Sequence, residues 1–126
     1  MAKLSRNDTE DLLRRPIISV VSTTCPDGTL HMTPVWHLIE EGEAVIGIEK
    51  SSVKARNVRS NSKAALCVMT DETPQRWALF SGDARISIER VEDFVRRVSV
   101  HYMGEAEGTQ YAEQAIKDTN FVLLRI

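Results

Sequence analysis

The turn Cys25-Pro26-Asp27-Gly28 most constrains what this chain can fold into, because it separates two runs suited to extended backbone. Ile17 to Thr24 is dense in β-branched residues and Thr29 to Ile39 resumes that character, so together they predict a hairpin. A second turn, Glu40 to Gly42, leads into Ala44 to Glu49 and extends the hairpin to a meander of three antiparallel strands. Ala64 to Thr70 reads as a buried strand and Asp71 to Pro74 as a turn. Arg76 to Ile88 reads as a long strand that Gly82 bends or bulges, and Phe121 to Ile126 as the closing strand.

Helical spacing appears elsewhere. Asp8 to Arg14, with Asn7 or Asp8 as N-cap, is a short helix stopped by Pro16. Val53, Ala55 and Val58 among charged neighbours predict a second, capped by Ser51 or Ser52 and ended at Asn61. Val91 to Met103 and Thr109 to Lys117 form a helical pair separated by Gly104 and Gly108. Six strands with hairpin connections, an inserted helix and a helical pair before the last strand predict a mainly β (α+β) fold. That fold is a small antiparallel six-stranded barrel with peripheral helices.

A chain of 126 residues suits one domain, 1–126, and can bury roughly two-thirds of its unfolded surface. A sizeable ligand would then need a partner subunit. The net charge of −2 gives no overall field toward nucleic acid or anionic membrane. Met1 to Arg15 is polar and lacks the apolar centre of a secretory signal, and no stretch is long and apolar enough to span a bilayer. The two cysteines, Cys25 and Cys67, read as reduced thiols, which points to the cytoplasm.

Against that acidic balance, Lys50, Lys54, Arg56, Arg59 and Lys63 fall in a stretch, Lys50 to Thr70, without an acidic residue. A helix N-terminus offers unpaired N–H groups and a partial positive charge, so Lys50-Ser51-Ser52-Val53-Lys54 suits a phosphate. The other reading is a solvated basic face, or one paired with Glu40, Glu41, Glu43 and Glu49. It is neither a P-loop nor a dinucleotide fingerprint. Its lack of stacking aromatics argues against single-stranded nucleic acid.

Pro26-Asp27-Gly28 in the hairpin, His31-Met32-Thr33-Pro34-Val35-Trp36 on the next strand and Ser52-Val53-Lys54-Ala55-Arg56-Asn57 after the third together resemble the pyridoxamine 5'-phosphate oxidase-like split-barrel superfamily. Within it they are most similar to the flavin/deazaflavin oxidoreductases that use coenzyme F-420. The resemblance covers Leu12 to Ile88 well and the rest by layout. It implies an FMN-binding type of split β-barrel and a homodimer with cofactor sites at the interface. The implied cofactor is coenzyme F-420, with FMN as the alternative. The implied activity is hydride transfer from the reduced coenzyme to an unsaturated organic substrate. An FMN-dependent reductase or oxidase, or a non-catalytic dimer binding flavin, haem or another ligand, are the alternatives.

Carried over by position, Ser52, Lys54, Arg56 and Lys50 would meet the cofactor phosphate, and Met32 to Trp36 would lie along the ring. Asn57 would either join them or brace its own helix. Strand parity puts Met32, Pro34, Trp36 and Leu38 on one face, and His31, Thr33, Val35, His37 and Ile39 on the other. Pro34 belongs at an edge or bulge, where backbone can turn to a ligand, so Thr33, Val35 and Trp36 are the expected ring contacts. Trp36 and Trp77 also suit core or interface packing.

No protein nucleophile is expected, since the cofactor would carry the reaction. His31 and His37 are separated by roughly 20 Å of extended chain, too far to share a metal. His101 reads as surface or packing, Tyr102 as core, and Cys25 and Cys67 lack a neighbouring histidine. Many members of the resembled family continue past a strand like Phe121 to Ile126.

Overall fold

The computed structural model describes residues 5–126. Along the chain come α1 (Arg6–Leu13), β1 (Ser19–Thr24), β2 (Leu30–Val35), β3 (Leu38–Glu40), β4 (Glu43–Glu49) and α2 (Val53–Ser60). They are followed by β5 (Lys63–Met69), β6 (Trp77–Asp83), β7 (Arg85–Ser87), α3 (Val91–Met103), α4 (Glu105–Asp118) and β8 (Phe121–Arg125). Two antiparallel four-stranded sheets result, ordered β2-β1-β5-β6 and β3-β4-β8-β7. This is the split barrel with peripheral helices.

The strand count rises from the six extended runs to eight because two of the runs each serve both sheets. Thr29 to Ile39 breaks at Trp36-His37, pairing with β1 before the break and with β4 after it. Arg76 to Ile88 breaks just past Gly82, so β6 pairs with β5 and β7 with β8. The three runs of the meander thus remain neighbours, but the middle one passes from sheet to sheet and its strict two-residue parity ends at Val35. Pro34 sits on β2, an edge strand, where its missing N–H costs no ladder bond.

Two helix boundaries differ from expectation. Ser5, rather than Asn7 or Asp8, caps α1, its Oγ accepting the Asp8 N–H at 3.1 Å. Gly108 does not separate the helical pair; Gly104 does so alone, and Gly108 lies inside α4, where a Cβ would come within 2.6 Å of Ser99 O and Val100 Cα on α3. A glycine there lets the two helix backbones touch.

Between the sheets, Val21, Leu66 and Val68 of the first pack with Ile46, Ile48, Val122 and Leu124 of the second, and Leu12, Ala55 and Val58 close the ends from α1 and α2. The opposite face of the second sheet is covered too, by Val45 and Leu123 meeting Phe94 and Val98 of α3. Burial on both faces explains the uninterrupted apolar runs Ala44-Val45-Ile46 and Val122-Leu123-Leu124. Each such side chain contributes about 1.5–3 kcal/mol when fully buried. The first sheet buries only one face. Val20 faces Pro34 and Cys67, and Cys67 faces Leu79, so one row of side chains crosses its outer surface. Leu30, Met32, Trp77 and Leu79 stand exposed on that surface.

Candidate functional site

The crossing at Trp36-His37 and the start of α2 lie on either side of a cleft of about 360 Å³. Val35 and Trp36 form one wall. Gly47, Ile48 and Glu49 of β4 line the cleft too. Phe94 and Val98 of α3 with Tyr111 of α4 form the far wall, which meets the first where Tyr111 lies 5.7 Å from the Trp36 ring, and Ser52 and Lys54 lie at the mouth. Gly47 lets the Phe94 ring pack directly on β4, since a Cβ there would meet that ring at 3.4 Å. The cleft is therefore a narrow slot between aromatic and aliphatic walls with a polar, cationic mouth.

That mouth follows from local sequence. Ser52 is the N-cap of α2, its Oγ accepting the Ala55 N–H at 3.2 Å, which fixes the first turn and projects Lys54 back toward β2. Lys54 Nζ donates to Thr33 Oγ1 at 3.2 Å. The ammonium is half-buried and, among the described residues, makes no ion pair although Glu49 lines the same cleft, and burial holds its pKa below the ordinary lysine value.

Beyond the mouth, Lys50, Ser51, Arg56 and Arg59 line a second, open hollow of about 570 Å³ together with Glu49 and Asn120. Arg59 donates to the Lys50 carbonyl at 3.2 Å. Among the described residues, none of Lys50, Lys54, Arg56 and Arg59 is in an ion pair. Glu40 pairs with Arg97 and Glu43 with Arg85, while Glu49 stays in the hollow, accepting the Ser51 hydroxyl and leaving the cationic side chains in excess. Lys63 pairs with Asp83 at 2.8 Å on the exposed surface, away from this cluster.

The eight residues singled out from sequence therefore divide. Val35, Trp36, Ser52 and Lys54 line the slot, and Thr33 joins them through Lys54. Lys50 and Arg56 face the outer hollow. Asn57 turns inward, almost wholly buried, and donates to Thr23 Oγ1 at 3.0 Å and toward Cys25 Sγ at 3.5 Å. Its geometry is that of a brace between α2 and β1. Asn57→Ala is expected to lower unfolding free energy in urea by about 1–3 kcal/mol, because the buried Thr23 hydroxyl loses its donor, with ligand affinity unchanged. A loss of affinity at unchanged stability would make Asn57 a ligand contact instead.

Sequence reasoning did not single out the far wall, and it left Arg59 in the basic run as equally well a solvated surface residue. Phe94, Val98 and Tyr111 carried only the helical apolar spacing that any core helix shows. Trp36 both lines the slot and packs: its ring stacks on Tyr102 at a centroid distance of 4.8 Å and lies 5.7 Å from Tyr111. Trp77 is half exposed on the outer sheet face. No group of three or more His, Cys, Asp or Glu placed to hold a metal occurs among the described residues. Cys25 and Cys67 are unbridged, and His101 is exposed.

Two antiparallel sheets joined by bent strands, with a cleft of about 360 Å³ where the chain crosses between them, define a split β-barrel with that cleft at its seam. Over residues 6–126 the chain matches pyridoxamine 5'-phosphate oxidase, and it belongs to that family.

Solved structures share the fold at low identity. A conserved hypothetical protein of Mycobacterium tuberculosis is 24% identical with a TM-score of 0.78, over 98% of this chain and 80% of that one. An F420 reductase is 21% identical with a TM-score of 0.73, over 92% and 89%. The haem storage protein HutZ of Vibrio cholerae is 17% identical with a TM-score of 0.69, over 95% and 87%. No curated protein matches. Among the described residues no helix is long and apolar enough to cross a membrane.

Proposed function

We propose that residues 1–126 form one cofactor-binding domain of a cytoplasmic oxidoreductase, whose slot takes the tricyclic ring of a phosphorylated flavin or deazaflavin. The observation that carries this reading is Lys54: a half-buried cation that makes no ion pair among the described residues, at the mouth of a slot lined by Trp36, Phe94 and Tyr111. An aromatic-walled slot suits a flat ring, and an unneutralised ammonium beside a hydroxyl suits a phosphate. Ser52 and Lys54 would hold that phosphate, and Thr33, Val35 and Trp36 would flank the ring.

The outer hollow favours coenzyme F-420 over FMN. FMN ends at its phosphate, whereas coenzyme F-420 carries a phosphodiester extended by a carboxylate-bearing tail. Lys50, Arg56 and Arg59 stand where such a tail would leave the slot. With the deazaflavin bound, the chemistry available is two-electron hydride transfer to an unsaturated organic substrate. The chain's own part is to orient the ring, exclude water with Phe94, Val98 and Tyr111, and set the charge around it. A second copy of the chain would cover the outer face of the first sheet, where Leu30, Met32, Trp77 and Leu79 form an apolar patch typical of interaction surfaces.

Titration of the purified protein with FMN and coenzyme F-420, followed by reduction of a panel of quinones and enones, tests the reading. Coenzyme F-420 is expected to bind more tightly and to support turnover. Tight FMN binding without F-420 binding would overturn the cofactor choice. The haem storage neighbour makes carriage the second reading, and tight binding with no turnover would select it. A monomer in sedimentation equilibrium would remove the paired sheet face.

A further inference from the structure

Trp36 and His37 are the residues at which the chain leaves one sheet for the other, so neither has a ladder neighbour to hold its side chain. What holds them is a buried hydrogen-bond cluster. His37 and Ser19 are 1% and 0% exposed. His37 Nε2 lies 2.7 Å from the Leu13 carbonyl at the end of α1. A carbonyl only accepts, so Nε2 carries the proton and Nδ1 is the acceptor.

Two hydroxyls reach Nδ1: Ser19 Oγ at 3.0 Å and Tyr102 Oη at 3.3 Å. Tyr102 has a shorter acceptor, the Ile17 carbonyl at 2.8 Å, and Ser19 has only a longer one, the Val35 carbonyl at 3.2 Å. Ser19 therefore donates to Nδ1 and Tyr102 to Ile17, leaving the Tyr102 oxygen to accept the His37 backbone N–H at 3.1 Å. Every group in the cluster is satisfied with His37 neutral. Burial and the nearby His101 both hold the imidazole pKa below its ordinary value.

Tyr102 is thus tied by its hydroxyl to the α1–β1 connection and to the crossing, and its ring plane is fixed with it. That ring stacks on Trp36 with planes 10° apart, and Trp36, not Tyr102, lines the slot. We propose that Tyr102 and His37 are positioning residues that lock the plane of Trp36, which Tyr111 meets from another side at 5.7 Å, and so fix the wall that Trp36 presents to a flat ring, independently of the cationic mouth. The proposal rests on the reading of the slot as the cofactor site.

The test uses Trp77→Phe as parent, which leaves Trp36 as the sole tryptophan. Adding Tyr102→Phe keeps the stacking ring and removes its anchor. The expected results are lower fluorescence anisotropy of Trp36 and about tenfold weaker FMN and coenzyme F-420 binding, as for one lost hydrogen bond. Affinity for inorganic pyrophosphate, which probes the cationic groups alone, should stay the same.

Unchanged anisotropy would overturn the proposal, as would pyrophosphate and cofactor affinities falling by the same factor. If Tyr102→Phe does not fold, Ser19→Ala, which leaves the Tyr102 anchor in place and frees the His37 ring, tests the His37 arm by the same two readouts, and unchanged anisotropy there would remove His37 from the proposal. If the parent binds neither cofactor, the reading of the slot falls. The anisotropy then still decides whether Tyr102 positions Trp36.

Discussion

Lys54→Met is expected to weaken binding of coenzyme F-420 or FMN by about 10- to 150-fold, the value of a charge-assisted hydrogen bond of roughly 1.5–3 kcal/mol, and also to raise the melting temperature measured without cofactor. The two effects have opposite signs for one reason. Lys54 is half-buried beside Thr33 and makes no ion pair among the described residues, so the protein without ligand bears a desolvation cost that an anionic ligand offsets. Methionine keeps the apolar stem and removes the charge.

The sign of the pH dependence follows. The folded-state pKa of Lys54 lies below the ordinary value of 10.5, so between the two the unfolded chain binds more protons and stability rises with pH. Below the folded pKa the cost is fully present. The melting-temperature advantage of Lys54→Met should accordingly shrink as pH climbs toward 10.5. Calorimetry across that range, with fluorescence titration at neutral pH, checks both parts. A variant less stable than wild type at neutral pH would mean that Lys54 is a structural cation, and unchanged affinity would remove it from the site.

The fold was legible where local chemistry and tertiary context agree. Asp27 and Gly28 make the first hairpin turn unaided: Asp27 Oδ1 accepts from the Thr29 backbone, and Gly28 sits at positive φ. Ser52 and Asn61 bound α2 as capping residues do. The break at Trp36-His37 was not legible, because a crossing between sheets is made by burial of His37 and stacking of Trp36, with no glycine or proline at the break itself. Gly108 misled for the complementary reason. Glycine usually punctuates a helix, and its use as a contact point depends on a second helix invisible to local pattern.

The site divides along the same line. The mouth and outer hollow of the candidate site draw on one continuous segment, where an excess of cations is visible as charge, so Ser52 and Lys54 at the mouth and Lys50 and Arg56 in the hollow were candidates from sequence. Its far wall comes from α3 and α4, which begin at Val91, 35 residues after Arg56. There, Phe94 and Val98 differ in no sequence property from residues that only pack against the sheet. Asn57 stood within the basic run, yet its backbone position on α2 points it at Thr23, so neighbourhood in sequence put it in the set and helix geometry takes it out.

Gly108→Ala is expected to lower stability by about 3 kcal/mol, equivalent to a melting-temperature drop of roughly 10 °C in a domain of this size. Helix propensity alone predicts the reverse, a gain of about 1 kcal/mol for alanine over glycine inside a helix. The clash decides the sign. The new Cβ would meet Ser99 O at 2.6 Å and Val100 Cα at 2.6 Å, both backbone atoms of α3 that no rotamer change can move. Relief requires α3 and α4 to part. Since Phe94 and Val98 on one helix and Tyr111 on the other form the far wall, the same displacement should widen the slot and weaken ring binding while sparing pyrophosphate binding at the mouth. Thr109→Ala, one residue along on the exposed side of α4, should stay within about 0.5 kcal/mol of wild type. Thermal melts of the two variants separate the explanations: a stabilised Gly108→Ala would show that the helices have room to spare, and equal losses in both would place the cost in α4 itself rather than in its contact with α3.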